Sequence, residues 1–166
     1  METTRTSRIV AVEHIRVHTA RPFAEVVRSI EAETGVFDAA AVQARLEAKA
    51  PPGELLGAIA AMAGRSGLMR FVALDHGEIL RAQGKPALVV RFLLGNPLTA
   101  ARMTVLGIGS GLYAPLSLLV AADERGTTLE YDRPSTLFGQ FEDPGIDEVA
   151  RELDEKMAAL VGTKGM

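Results

Sequence analysis

Apolar and polar residues change period several times along the chain, and each change marks an element. Between Arg8 and Thr19 the apolar positions Ile9, Val10, Val12, Ile15 and Val17 are β-branched, which predicts a strand with imperfect alternation. Pro22 suits the first turn of a helix, where its missing N–H is no loss. Phe23, Val26, Val27 and Ile30 then follow at helical spacing as far as Gly35, a natural stop. Asp38 is placed to cap a second helix over Ala39–Ala50, closed by Pro51-Pro52-Gly53, and a third spans Glu54–Ala63.

The second half reads mainly as strands. Leu68–Leu80 opens as one, with Met69, Phe71, Val72 and Leu74, but Asp75-His76-Gly77-Glu78 leaves its end ambiguous. Ala87–Leu94 is a strand apolar on both faces except at Arg91. Gly95-Asn96-Pro97 breaks it and opens a short helix over Leu98–Leu106, with Asn96 as its cap. A glycine loop, Gly107-Ile-Gly-Ser-Gly111, leads to a strand over Leu112–Ala122. Asp123-Glu-Arg-Gly126 is a hairpin signal, and Thr127–Arg133 is the returning strand, with Leu129 and Tyr131 on one face. Asp143-Pro144 starts the clearest helix, whose stripe is Ile146, Val149, Ala150, Leu153, Met157, Leu160 and Val161.

The order strand, helices, strands, helix predicts an α+β two-layer sandwich, an antiparallel sheet with its helices on one face. Its other face then needs a ligand or a second copy of the chain to cover it. The 166 residues suit one domain, and 48% apolar with 23% charged residues excludes a disordered chain or a coiled coil. The net charge of −3 comes from scattered residues, with no basic face of the kind nucleic acid selects. Without cysteine there is no disulfide, thiolate nucleophile or Cys-type zinc site. No apolar run approaches the ~20 residues that span a bilayer, and the polar start carries no signal-peptide core. These features lead us to expect a cytoplasmic protein with neither nucleic acid nor membrane as partner.

Several segments together resemble the DUF302 (TT1751-like) family. They are Gly95-Asn-Pro-Leu98, Gly111-Leu-Tyr-Ala-Pro-Leu116, Tyr131-Asp-Arg-Pro-Ser135, Leu137-Phe-Gly-Gln-Phe141, and Asp143-Pro144 leading to Val149-Ala-Arg-Glu-Leu-Asp154. They cover roughly residues 87–161. The resemblance implies a TATA-binding-protein-like β-α-β4-α topology in a single domain over residues 1–166. Residues 36–68 would be a helical insertion and 1–7 a flexible N-terminus. The likeness is one of topology and does not extend to DNA. The family brings no established activity and so no catalytic residue.

Candidate chemistry is sparse. His14 and His18 would lie ~13 Å apart on a strand, too far to share one metal ion, so no metal site is expected. Glu130 and Asp132, two residues apart on one face, form a carboxylate pair beside Arg133 on a face that looks solvated. His76 suits a haem-type axial ligand, a proton shuttle or a ligand contact, and equally a turn cap. Tyr113 and Tyr131, the only tyrosines, each combine an apolar body with one polar tip. Arg91, a cation in an apolar strand, should pair with an acid or bind an anion. The expectation that follows is a small-molecule-binding or sensing protein, as a homodimer, with His76, Tyr113, Tyr131 and Arg91 as ligand-pocket candidates. An enzyme or haem-type protein using His76, or a dimeric interaction scaffold without ligand, are the alternatives. The cofactor and the catalytic residues stay unknown at this point.

Overall fold

A computed structural model describes residues 3–162. Six strands form one sheet in the order β1-β6-β5-β4-β3-β2: β1 His14–Thr19, β2 Gly35–Val36, β3 Met69–Asp75, β4 Val89–Gly95, β5 Leu116–Asp123 and β6 Gly126–Asp132. All pairings are antiparallel except the two-residue edge strand β2, which runs parallel to β3. The helices are α1 Phe23–Glu33, α2 Ala39–Glu47, α3 Pro52–Ala60, α4 His76–Ala82, α5 Pro97–Thr104, α6 Pro134–Phe138 and α7 Pro144–Leu160. Short 3-10 helices cover Ile108–Tyr113 and Gly139–Phe141. The expected two-layer α+β sandwich is what the chain forms.

Alternation along the central strands divides the sheet into two unlike faces. Leu116, Leu118 and Val120 of β5, Thr127, Leu129 and Tyr131 of β6, and Phe92 and Leu94 of β4 are buried beneath the helices. Val26 and Ile30 of α1, Met103 of α5, Phe138 of α6 and the α7 stripe from Ile146 to Met157 complete that core. Side chains between these positions point to the opposite, open face. Glu124-Arg125 connect β5 to β6, and Gly126, at φ 147°, passes so close to the Thr19 carbonyl that no Cβ would fit.

Helix starts follow the chemistry that predicts them. Asp143 accepts from the Gly145 and Ile146 N–H groups at 2.9 and 3.1 Å, Asp38 from Ala41 at 2.8 Å, and Asn96 from Leu98 at 2.9 Å. The 36–68 segment holds α2 and α3, of which α2 buries no residue and α3 only Ile59.

Four expectations change. The first strand begins at His14 rather than Arg8, because Pro134 ends β6 and leaves nothing for earlier residues to pair with. Instead Arg8 donates to the backbone and side chain of Gln140, and Glu13 receives the Arg133 N–H. The ambiguous end of β3 is helix α4, capped by Asp75, whose Oδ1 accepts from the Glu78 N–H at 3.1 Å. The glycine loop is wound into the 3-10 helix Ile108–Tyr113. Pro134 does more than stop β6; it starts α6. Of the expected N-terminal tail 1–7, residues 1 and 2 lie outside the described residues, and 3–7 are exposed without regular structure.

Phe138 is fully buried where α6 meets α7 and the sheet. Phe138→Ala is expected to cost about 3–5 kcal/mol, read as a lowered urea midpoint with an unchanged slope.

Candidate functional site

On the open face the register assembles two regions. At one edge, β1 and β6 bring charges together. His14 lies opposite Asp132 and Arg16 opposite Glu130. The His14 ring bonds Asp132 Oδ1 through Nδ1 at 2.9 Å and Glu130 Oε2 through Nε2 at 3.0 Å. Arg16 donates to Glu130 Oε1, with contacts of 2.9 and 2.7 Å. The carboxylate pair seen in the sequence is therefore bridged by an imidazole from another strand. Hydrogen bonds to Asp132 and then Glu130 raise the His14 pKa above 6.5, and the bonds from His14 and Arg16 lower that of Glu130. With both nitrogens committed, His14 has none for a metal, and no metal-holding group of three His, Asp or Glu occurs among the described residues. His18 faces a different acid, Asp123, at 3.5 Å.

Toward β4 the open face turns apolar, with Leu119, Leu93, Val72 and Leu74 in neighbouring strands. Arg91 stands among them. No carboxylate of the described residues comes within ion-pair distance, so the expected acidic partner is absent. Instead Nε and Nη2 both donate to Ser117 Oγ, at 3.2 and 2.7 Å. Burial of the aliphatic stem against apolar neighbours is ordinary for arginine, and its guanidinium stays in solvent.

Arg91 borders a cleft of about 260 Å³. Ser117 and Asp132 supply its other polar groups, Tyr113 and Leu112 come from the 3-10 helix, and Pro115, Leu116 and Leu137 complete the lining. Tyr113 is held by edge-on contacts with Phe138 and Phe141, at 6.3 and 6.0 Å, and its hydroxyl donates to Gln140 Oε1 at 3.2 Å. The cleft has a cation, a carboxylate and hydroxyl groups above an apolar floor.

The four candidates are thus separated. Arg91 and Tyr113 share the cleft. Tyr131 points the other way, into the core, where burial pushes its hydroxyl pKa up. His76 is exposed at the first residue of α4, and no side chain of the described residues hydrogen-bonds its ring. Ser117 and Asp132 were not singled out as cleft residues, and only the strand register shows that they flank Arg91's reach.

Two other concavities are less suited to selective binding. A trough of about 750 Å³ runs between β1, α1 and the end of α7. Its charged side chains are paired: Arg16 with Glu130, His18 with Asp123, Arg21 with Glu25 and Glu33 with Arg65. A gap of about 190 Å³ lies beneath α1, lined largely by Phe23, Val27, Ala73, Val90 and Phe92. None of the four candidates lines either one.

His14 should titrate above the usual histidine range in an NMR pH series, and Asp132→Asn should bring its midpoint down. Its raised pKa means that its contribution to stability is complete below about 6.5 and fades as pH rises through the folded value. The lowered pKa of Glu130 acts oppositely, its contribution being complete above about 4.3 and lost as pH falls through the folded value. The cluster is expected to stabilise most between these limits, and a flat pH dependence of the difference between wild type and His14→Gln would contradict it.

Comparison with known proteins agrees with this architecture. The family described as "Domain of unknown function DUF302" matches residues 42–163. The crystal structure of an uncharacterized conserved DUF302 protein from Bacillus stearothermophilus superposes with a TM-score of 0.62 at 19% identity, covering 91% of this chain and 97% of that one. That level of identity supports the shared fold alone. No curated protein matches the chain. Among the described residues no helix is long and apolar enough to cross a membrane. The chain belongs to the DUF302 family.

Proposed function

We propose that the protein binds a small molecule in the open-face cleft, and that Arg91 anchors an anionic group of that ligand. The observation supporting this reading is a guanidinium that is oriented by Ser117 yet lacks a carboxylate partner among the described residues. A structural arginine in an apolar strand is normally satisfied by an acid. Here the position is held while the charge is left for solvent or a ligand. Leu112, Pro115 and Leu137 offer apolar contact next to it, so the ligand combines a charged head with a modest apolar body. The volume is slightly below the ~300 Å³ at which drug-sized sites begin, which favours a metabolite of a few carbons over a haem or dinucleotide.

The enzyme reading through His76 needs a cleft and a second polar group beside that ring, whereas the ring is exposed at the start of α4 and no side chain of the described residues hydrogen-bonds it. The homodimer reading draws on Val72 and Leu74, each 40% exposed on the open face. Light scattering across a dilution series tests it separately, and a constant monomer mass would end it.

Thermal-shift screening followed by calorimetry with small carboxylates is the test. At least one should bind wild type, and Arg91→Ala should weaken it about tenfold or more, the loss of one charge-assisted contact. Equal binding by wild type and Arg91→Ala would overturn the assignment.

A further inference from the structure

The cleft's second charge defines the ligand further. We propose that it selects a small zwitterion, an amino acid or a compound with the same carboxylate and ammonium groups. This rests on the reading that the cleft is a ligand site, and names the class of molecule that fits it.

Two complementary charges line one small volume from different strands. Arg91 reaches in from β4 and Asp132 from β6, with Ser117 of β5 between them. Ser117 engages Nε and Nη2, which leaves the Nη1 hydrogens without a partner among the described residues. A carboxylate placed there receives charge-assisted hydrogen bonds from a guanidinium whose orientation is already set. Asp132 gives Oδ1 to His14 at 2.9 Å, and its Oδ2 has no partner among the described residues. An ammonium carries three donors and no acceptor, so it matches that free oxygen.

Charge balance discriminates between ligand classes. A simple carboxylate entering the cleft satisfies Arg91 but comes close to the anionic Asp132, and like charges at short range oppose binding. A simple amine satisfies Asp132 and meets the arginine. A zwitterion pairs with both. Its side chain then rests on Leu112, Pro115 and Leu137. Tyr113, fixed through Gln140 and its two aromatic neighbours, forms a rigid wall at that end. The cleft of about 260 Å³ has room for a single amino acid rather than a peptide.

The experiment uses the full chain, with the common L-amino acids screened by thermal shift. The best binder is then compared by calorimetry with its N-acetyl and its carboxamide derivatives. The free amino acid should bind, and each capped form should bind at least about tenfold more weakly. Asp132→Asn should narrow the gap between the free and N-acetylated forms, and Arg91→Ala should narrow the gap between the free acid and its amide. His14→Gln, which keeps the Asp132 carboxylate, should preserve both gaps and serves as the control for loss of the neighbouring ion pair. If the N-acetylated acid or a plain carboxylate binds as tightly as the amino acid, the zwitterion assignment falls while anion binding at Arg91 stands. If neither amino acids nor small carboxylates bind, both fall.

Discussion

One constraint organises this molecule: the sheet is covered on one side only, and its strand register decides which side chains go there. Side chains alternate with period two, so a slip of one residue in any central strand would turn its core set outward. Leu118 of β5 and Leu129 of β6 are buried in the same layer, and their neighbours Leu119 and Glu130 face each other on the opposite side. The tight Asp123–Gly126 turn holds that register, with Asp123 accepting the Arg125 N–H at 2.7 Å. The core and the open face are therefore two consequences of one pairing.

The open face manages its exposure in two ways. Near β1 it uses charge, and His14, Arg16, Glu130 and Asp132 neutralise one another in a cross-strand cluster. This edge strand alternates His14, Arg16 and His18 outward, a pattern that discourages pairing with another chain. Individual exposed pairs of this sort add little stability, so the cluster's value lies more in pinning the β1–β6 register. Near β4 and β3 the face is apolar, and there Arg91 has Ser117 as its side-chain partner among the described residues. The charges at that edge pair with one another, whereas among the described residues the guanidinium at the centre has no carboxylate partner.

Much of the fold was legible because its signals are local. A capping aspartate followed by proline announces α7, and alternation announces β5 and β6. The errors also had local causes that depend on distant partners. Residues 8–13 have strand-forming composition, but a strand needs a neighbour, and β6 ends at Pro134. Asp75-His76-Gly77-Glu78 contains an N-cap signal that the preceding apolar run obscured. Arg91 and Tyr113 were readable as unusual residues, one by its charge within an apolar strand and the other by its rarity. Tyr131 was equally rare, and its burial was implied by its sharing a face with Leu129. His76 stood out through its chemistry, although it lines none of the three concavities described above.

The place of Ser117 and Asp132 beside Arg91 was beyond the sequence, which showed Asp132 only as half of a carboxylate pair. Ser117 is one polar residue in an apolar strand, and Asp132 is a charge before a proline turn. They acquire meaning only when β5 sets Ser117 under the reach of Arg91 and β6 places Asp132 at the same cleft. Asp132 also belongs to the His14 cluster, so the charged edge and the cleft share one carboxylate. His14 holds that carboxylate through Oδ1 alone, so the bond that joins the two strands leaves Oδ2 on the cleft side without a partner among the described residues. One strand end thus serves both the edge cluster and the cleft, with Asp132 two strands away from Arg91 on the same face.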